Sequence, residues 1–339
     1  MARDPMTRGE SRRHRLLALL SDGEFHSGER LAKRLRISRG GVWKIVSSLR
    51  ELGIDVQSVP RQGYKLPRAI DLYDRSAILA ATSAEAQAAL MRADVLLTVD
   101  STNRFIADIE DELEPGRVQL CVAELQTAGR GRRGRSWMAP FGSGICMSVG
   151  WRFAEAPPAF SALSLAVGVA VVTALKKLGA AELGLKWPND LVWSGRKLGG
   201  ILIEMRGESA GPAHVVIGIG INVRMPTVIR LLLAEQQAAL ISDLYEIMRE
   251  RTPDRNRIVG AVLSELVTTL KIFAQEGFAP FHATWRELDV LVDAPVKVMN
   301  GAQTTLGTAR GVDVDGTLLV DVDGELQRFA SGDVTLRRR

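Results

Sequence analysis

The segment Gly129-Arg130-Gly131-Arg132-Arg133-Gly134-Arg135-Ser136-Trp137 sets four arginines among three glycines and closes on an indole. Guanidinium forks can grip a phosphate or carboxylate, glycines let backbone amides come close to it, and a tryptophan offers a flat face for stacking. An adenylate-forming site needs all three. Each glycine in a helix or strand costs about 0.5–1 kcal/mol of backbone entropy, so the segment is predicted to be a loop, mobile when empty. A solvated arginine run or a basic tail is the plainer reading of such charge. The apolar runs on either side, Val118-Gln119-Leu120-Cys121-Val122-Ala123 and Gly144-Ile145-Cys146-Met147-Ser148-Val149, read as buried strands, which places the loop inside a fold rather than at an end.

Three further constellations could share that site. Lys186-Trp187-Pro188-Asn189-Asp190 follows the short strand run Leu183-Gly184-Leu185, so rigid backbone would aim the Lys186 ammonium at developing negative charge. A surface lysine beside a turn is the bland alternative. Asp100-Ser101-Thr102-Asn103 lies between the strand run Val95 to Val99 and a helix-like stretch from Arg104. Those side chains suit a helix cap and can also hold a polar ring ligand at a strand-to-helix corner. Arg196 to Glu204 and Val215 to Val223 read as two more buried strands, with glycines at 199, 200, 218 and 220 that let something approach the backbone. Gly218-Ile219-Gly220 is not a dinucleotide fingerprint, because the third glycine and a following helix start are missing. The sequence has no CxxC motif or Cys/His cluster to suggest a metal centre; Cys121 and Cys146 read as reduced core residues.

These residues need a scaffold, and 339 residues are enough for two or three domains with a sizeable core. Charge is spread unevenly. Residues 1–70 hold 15 of the 44 Lys and Arg but 7 of the 39 Asp and Glu, a local excess of eight positive charges, while the remainder is net negative by three. A single basic end suggests a nucleic-acid-binding module fused to something else. That end reads as three short helices: Arg12 to Leu20, a second capped by Ser27 and running through Leu31 and Leu35, and a third capped by Ser38. In the third, Val42, Ile45, Val46, Leu49 and Leu52 keep helical spacing until Gly53. Ile54 to Val59, a turn at Pro60-Arg61-Gln62-Gly63 and the return Tyr64-Lys65-Leu66 predict a wing. The buried stripe of the third helix leaves Arg39, Lys44, Ser47, Ser48 and Arg50 facing outward, with Arg61 on the wing, to meet phosphates and base edges. A winged helix-turn-helix on DNA is expected, although small three-helix modules also mediate protein contacts.

Near the other end, Trp285 to Asp289 closes a helix, and Asn300-Gly301, Asp315-Gly316 and Asp323-Gly324 are hairpin signals between short strands, which predict a small barrel. Leu231 to Met248 reads as one helix. The sequence contains no run of about 18 uncharged apolar residues, and Met1 to Met6 leads into charge, so a cytoplasmic protein without membrane contact is expected.

Taken together, the Ser101-Thr102-Asn103 corner, Glu124-Leu125-Gln126-Thr127-Ala128 leading into the arginine–glycine loop, the Lys186 to Asp190 turn, Arg196-Lys197-Leu198 and Gly218-Ile219-Gly220-Ile221-Asn222 resemble the biotin protein ligases in order and spacing. With a winged helix in front, the nearest match is the bifunctional type, both biotin–carboxyl-carrier-protein ligase and repressor of the biotin operon. The resemblance covers nearly the whole chain and implies an α+β fold: residues 1–70 a winged helix-turn-helix, 71–290 a mixed-sheet, class II synthetase-like catalytic domain, and 291–339 an SH3-like β-barrel. It implies that Ser101, Thr102 and Asn103 line a biotin site, with Gln126 on the ureido group. Gly129, Arg130, Gly131 and Arg132 would meet the carboxylate and the adenylate phosphate, and Trp137 would cover the adenine. Lys186 and Arg132 would be catalytic, and Gly218, Gly220, Ile221 and Asn222 would wall the biotin rings.

The implied reaction takes biotin and ATP, with Mg2+, to biotinyl-5′-AMP and then to a lysine of the biotin carboxyl carrier protein of acetyl-CoA carboxylase. The adenylate would also act as corepressor for a homodimer on operator DNA. Alternatives are a lipoate-type ligase and a ligand-sensing repressor with weak or no ligase activity. The chain departs from the family pattern at Ser136, where some members carry lysine, and across Met225 to Arg251, which matches nothing familiar. Gly40 and Gly41 also stand in the recognition helix, where each costs about 1 kcal/mol.

Overall fold

The computed structural model describes residues 8–109, 113–206, 212–237, 240–300, 303–330 and 334–338. Met1 to Met6, and Gly301 of the Asn300-Gly301 turn, lie outside the described residues. The basic end folds as α1 (Arg8–Leu20), α2 (Gly28–Leu35), α3 (Arg39–Glu51) and a two-stranded wing, β1 (Gln57–Val59) and β2 (Gly63–Lys65). The two serines cap as predicted: Ser27 Oγ accepts from Arg30 N at 3.2 Å and Ser38 Oγ from Gly41 N at 3.0 Å. Gly63 is required in the wing, since its φ is +110° and a Cβ there would lie 2.0 Å from His26 O. Leu16, Leu17, Leu20, Val42, Val46 and Leu49 are fully buried, each worth roughly 1.5–3 kcal/mol. That core continues through Ile70 to Leu97, Leu125 and Phe141 of the next domain.

The central domain comprises α4 (Arg75–Ala80), α5 (Ala84–Ala89), β3 (Leu90–Val99), α6 (Thr102–Ala107), β4 (Val118–Gln126), β5 (Gly144–Phe153), α7 (Leu163–Lys177), β6 (Leu183–Lys186), β7 (Asp190–Trp193), β8 (Arg196–Arg206) and β9 (Ala213–Asn222). It continues with α8 (Thr227–Gln237), α9 (Leu244–Met248), α10 (Arg255–Glu276) and α11 (Ala279–Leu288). The seven strands form one mixed sheet in the order β3-β4-β5-β9-β8-β7-β6, with only β3 and β4 parallel. Helices α7, α10 and α11 cover one face; α6 packs on the other through Ile106 against Cys121 and Val216. Phe160–Lys177 and Arg255–Glu276 are long and apolar enough to cross a membrane, but 67% and 56% of those windows are buried within the fold, as core helices are.

The single helix expected over Leu231 to Met248 is two helices instead. Between them, Lys197 N donates to Leu240 O and Ser242 N to Lys197 O, and Asp243 caps α9 by accepting from Glu246 N. Backbone spent on pairing with β8 cannot stay helical, and apolar periodicity carries no sign of that pairing.

The C-terminal strands β10 (Pro295–Asn300), β11 (Gln303–Val312), β12 (Leu318–Val322), β13 (Glu325–Phe329) and β14 (Val334–Arg338) form an antiparallel sheet in the order β13-β12-β11-β10-β14. The predicted barrel is not closed among the described residues, where β13 and β14 are unpaired edges. Hairpin dipeptides specify which strands are neighbours; closure depends on pairing between the two edge strands, which they do not encode. The sheet is tied to the strand that carries Lys186: Val290 N donates to Leu185 O at 3.0 Å and Trp187 Nε1 to Gly316 O at 3.1 Å.

Candidate active site

A cavity of about 420 Å³ lies where the arginine–glycine segment, the N-terminus of α6 and the β6–β7 turn meet over β8 and β9. Ser101, Thr102, Asn103, Gln126, Arg130, Gly131, Arg132, Trp137, Lys186, Gly218 and Gly220 all line it. Gly129, Ile221 and Asn222, predicted to belong with them, do not. Gly129 serves the backbone, since a Cβ would lie 2.4 Å from Trp137 O. Ile221 is fully buried in the core, and Asn222 Nδ2 donates to Ser242 O at 3.0 Å, holding the end of β9.

At one end the lining is polar and uncharged. Ser101 is the N-cap residue of α6 but makes no side-chain cap bond; Gln126 Oε1 takes that role, accepting from Thr102 N at 2.8 Å and Thr102 Oγ1 at 3.1 Å. The fully buried Ser148 hydroxyl sits 2.7 Å from Thr102 Oγ1 and 2.6 Å from Asn103 Oδ1. Asn103 Nδ2 donates to Glu204 Oε2 at 2.7 Å, and Gly218 must be glycine because a Cβ would meet Asn103 Oδ1 at 2.2 Å. Ser148 and Glu204 escaped the sequence reading. A lone hydroxyl in the apolar run Ile145 to Val149 was the available signal, because a buried hydroxyl requires a partner.

At the other end charge accumulates. Arg130, Arg132, Arg133, Arg135, Lys186 and Lys197 line the cavity against one carboxylate, Asp190, which Lys197 Nζ holds at 2.7 Å. Arg132 Nη1 donates to Asn189 Oδ1 at 3.3 Å, while Asn189 Nδ2 donates to Ile201 O at 2.7 Å, so the Lys186 turn braces an arginine of the loop. The sequence reading also passed over Asn189 as a site residue. A wall so rich in cations in a partly enclosed cavity favours a phosphate or carboxylate there.

The arginine–glycine segment is a small hairpin rather than an irregular loop. Arg130 bridges Ser136, Gly131 N donates to Arg135 O at 2.7 Å and Trp137 N to Gly129 O at 2.9 Å, with Arg133 at a φ of 59°. The hairpin turns Trp137 inward. Its indole rests on Gly220, where a Cβ would lie 2.4 Å from Cε2, so it covers the β9 floor. Beside it, burial pushes the Cys146 thiol up to about 11 against the opposing contacts of Trp137 and Gln126.

On the basic domain, Arg39 and Lys44 are exposed on α3 and Arg61 is exposed on the wing turn, with Ser47 half-buried. Two of the predicted contact residues also bond within the domain. Ser48 Oγ accepts from Arg13 Nε at 3.0 Å, and Arg50 donates through Nε and Nη2 to Val56 O at 2.9 and 2.6 Å, bracing α3 against α1 and the wing root. Trp43, between Arg39 and Lys44 on the same face, is 56% exposed.

Known proteins share this arrangement. Residues 12–65 match an HTH domain, 95–222 the Biotin/lipoate A/B protein ligase family and 294–337 the Biotin protein ligase C terminal domain. The bifunctional ligase/repressor BirA of Salmonella typhimurium is 40% identical over 324 residues, covering 95% of this chain and 96% of the relative. The protein of that name from Escherichia coli is 39% identical over 325 residues, with the same coverage. The solved biotin protein ligase from Aquifex aeolicus, in complex with biotin and ATP, superposes with a TM-score of 0.60 at 27% identity, covering 74% of this chain and 100% of that one. With helix-turn-helix, ligase and C-terminal domains matched in order along it, the chain belongs to the biotin protein ligase family.

Proposed function

We propose that this protein activates biotin with ATP and transfers it to a lysine of a biotin carboxyl carrier protein, and that it represses transcription when it holds the adenylate. The observation that carries this is one cavity with a neutral hydrogen-bonding end and a cationic end, bridged by the indole of Trp137. A ureido ring suits the Thr102, Asn103 and Gln126 end. The carboxylate would then lie toward Arg132 and Lys186. One of its oxygens attacks the α-phosphorus of ATP, forming the mixed anhydride and breaking the bond to pyrophosphate. Cations fixed before the reaction stabilise the charge that develops on the α-phosphate. In the second step the neutral amine of the carrier lysine attacks the acyl carbon, AMP leaves and the amine's proton passes to solvent. No side-chain nucleophile takes part.

Magnesium enters this proposal as the counter-ion of ATP. Among the described residues, no three His, Cys, Asp or Glu side chains come together as ligands, and Asp190 in the cavity is held by Lys197, so coordination would fall chiefly to phosphate oxygens. For the repressor role, residues 1–70 form the DNA-binding domain, 71–290 the catalytic domain and 291–339 the C-terminal domain of a cytoplasmic protein that dimerises with adenylate bound. The two winged helices of such a homodimer would read a palindromic operator through Arg39, Trp43, Lys44 and Arg61. Isotope exchange between pyrophosphate and ATP tests the first step. Exchange that depends on biotin and not on lipoate is expected; exchange with lipoate alone, or with neither acid, contradicts the reading.

A further inference from the structure

We propose that Glu204 is a positioning residue that latches the arginine–glycine hairpin over the cavity and sets how long the adenylate is retained; the proposal rests on the ligase reading above. Glu204 stands on β8, one strand period beyond Leu202 and two beyond Gly200, both of which line the cavity. Its carboxylate reaches two groups that line it too. Oε2 accepts from Asn103 Nδ2 at 2.7 Å and from Arg130 Nη2 at 3.3 Å, and Oε1 lies 3.2 Å from Arg130 Nη1. The Arg130 fork is thus met on both prongs, the geometry that makes an arginine–carboxylate pair directional.

This pair joins two parts of the site. Arg130 is at the root of the hairpin, bridged to Ser136, and Asn103 is in the ring-binding end, fixed by Ser148 on its Oδ1. A continuous polar chain therefore runs from Gln126 through Thr102, Ser148 and Asn103 to Glu204 and Arg130. An ordered ring-binding end and a closed hairpin share one carboxylate. The Arg130 and Glu204 side chains are 48% and 35% exposed, so the pair is screened by water and salt and can open without the expense of stranding a buried charge. Reversibility of that kind is required of a latch that must admit a carrier lysine after the adenylate has formed.

The test uses the full chain. Radiolabelled adenylate is formed on the protein from ATP and biotin, and its release into an unlabelled chase is timed for wild type, Glu204→Gln, Glu204→Arg, Arg130→Glu and the charge-swapped double variant. Glu204→Gln keeps an acceptor for Asn103 and removes the charge. It is expected to release adenylate roughly three- to tenfold faster, and less so at high salt. Trypsin is expected to cut the empty Glu204→Gln protein faster than wild type within residues 130–135, a readout independent of catalysis. The swapped pair should release more slowly than either charge-reversed single variant. Release from Glu204→Gln at the wild-type rate, or a swap no slower than its singles, overturns the latch alone. Wild type that releases no pyrophosphate overturns the ligase reading and the latch with it.

Discussion

At the scale of single residues, the account divides labour between groups that meet the ligand and groups that aim them. Lys186 is assigned to the developing charge on the α-phosphate, and Lys186→Ala is expected to slow adenylate formation by about 10²–10³-fold with an unchanged circular dichroism spectrum. Pyrophosphate release at the wild-type rate would refute that role. Arg132, braced by Asn189, is assigned to adenylate retention; Arg132→Gly should leak adenylate into solution, seen as labelling of bystander proteins. Retention equal to wild type would count against it. That these two residues would line one cavity was legible because lysine before a proline turn and arginine among glycines are unusual mixtures for packed structure. Ser148 and Glu204 were not, because each stands in a strand run and the face it presents follows from pairing with β9, a distant partner. The bonds that Ser48 and Arg50 make to Arg13 on α1 and to Val56 O at the wing root were not legible for the same reason, since their partners lie on other elements.

At the scale of elements, capping serines, turn dipeptides and apolar spacing located most strands and the helices of the basic domain, since each of those signals acts within a few residues. Two features they missed are non-local. The break between α8 and α9 follows from backbone bonds to Lys197, and β14 returns to pair with β10, the first strand of the C-terminal sheet. Asp289, at the junction between α11 and that sheet, supplies a prediction with a sign. Burial raises its carboxyl from 3.8 to about 6, against the opposing bond from Leu291 N. The folded protein thus holds this proton more tightly than the unfolded chain. The resulting stability is fully present below about pH 4 and is lost as pH rises to about 6, after which the buried charge weighs against the fold by about 3 kcal/mol. Asp289→Asn keeps the acceptor for Leu291 N and removes the charge, so its Tm should exceed wild type by roughly 4 °C at pH 8 and by nothing near pH 4. An equal Tm difference at both pH values would show that the carboxyl is not the cause. On α3, Trp43 is exposed between two cations, and an indole there can lie against a thymine methyl in the major groove. Duplexes selected from a random pool with ATP and biotin present should show a thymine preference that Trp43→Ala loses, with an unchanged salt slope. Identical selected sequences would remove Trp43 from the interface.

At the scale of the whole molecule, the basic end and the C-terminal sheet each pack against elements that flank the cavity. Ile70, leaving the basic domain, packs with Phe141 just past the arginine–glycine hairpin, and Arg68 Nη2 donates to Gly142 O at 3.0 Å. From the other side, the Gly316 turn of the C-terminal sheet accepts from Trp187, next to Lys186. The order of the domains was legible from charge and motif spacing; these contacts were not, because they join residues more than 70 positions apart. All of this organisation is read as serving the activation of one acid, biotin. The most direct check is the mass of a biotin carboxyl carrier domain after incubation with the full chain and ATP, with biotin in one reaction and lipoate in the other. A gain of one biotinyl group on a single lysine, with no gain from lipoate, is the result predicted. An unmodified carrier in both reactions, or modification by lipoate, would contradict it.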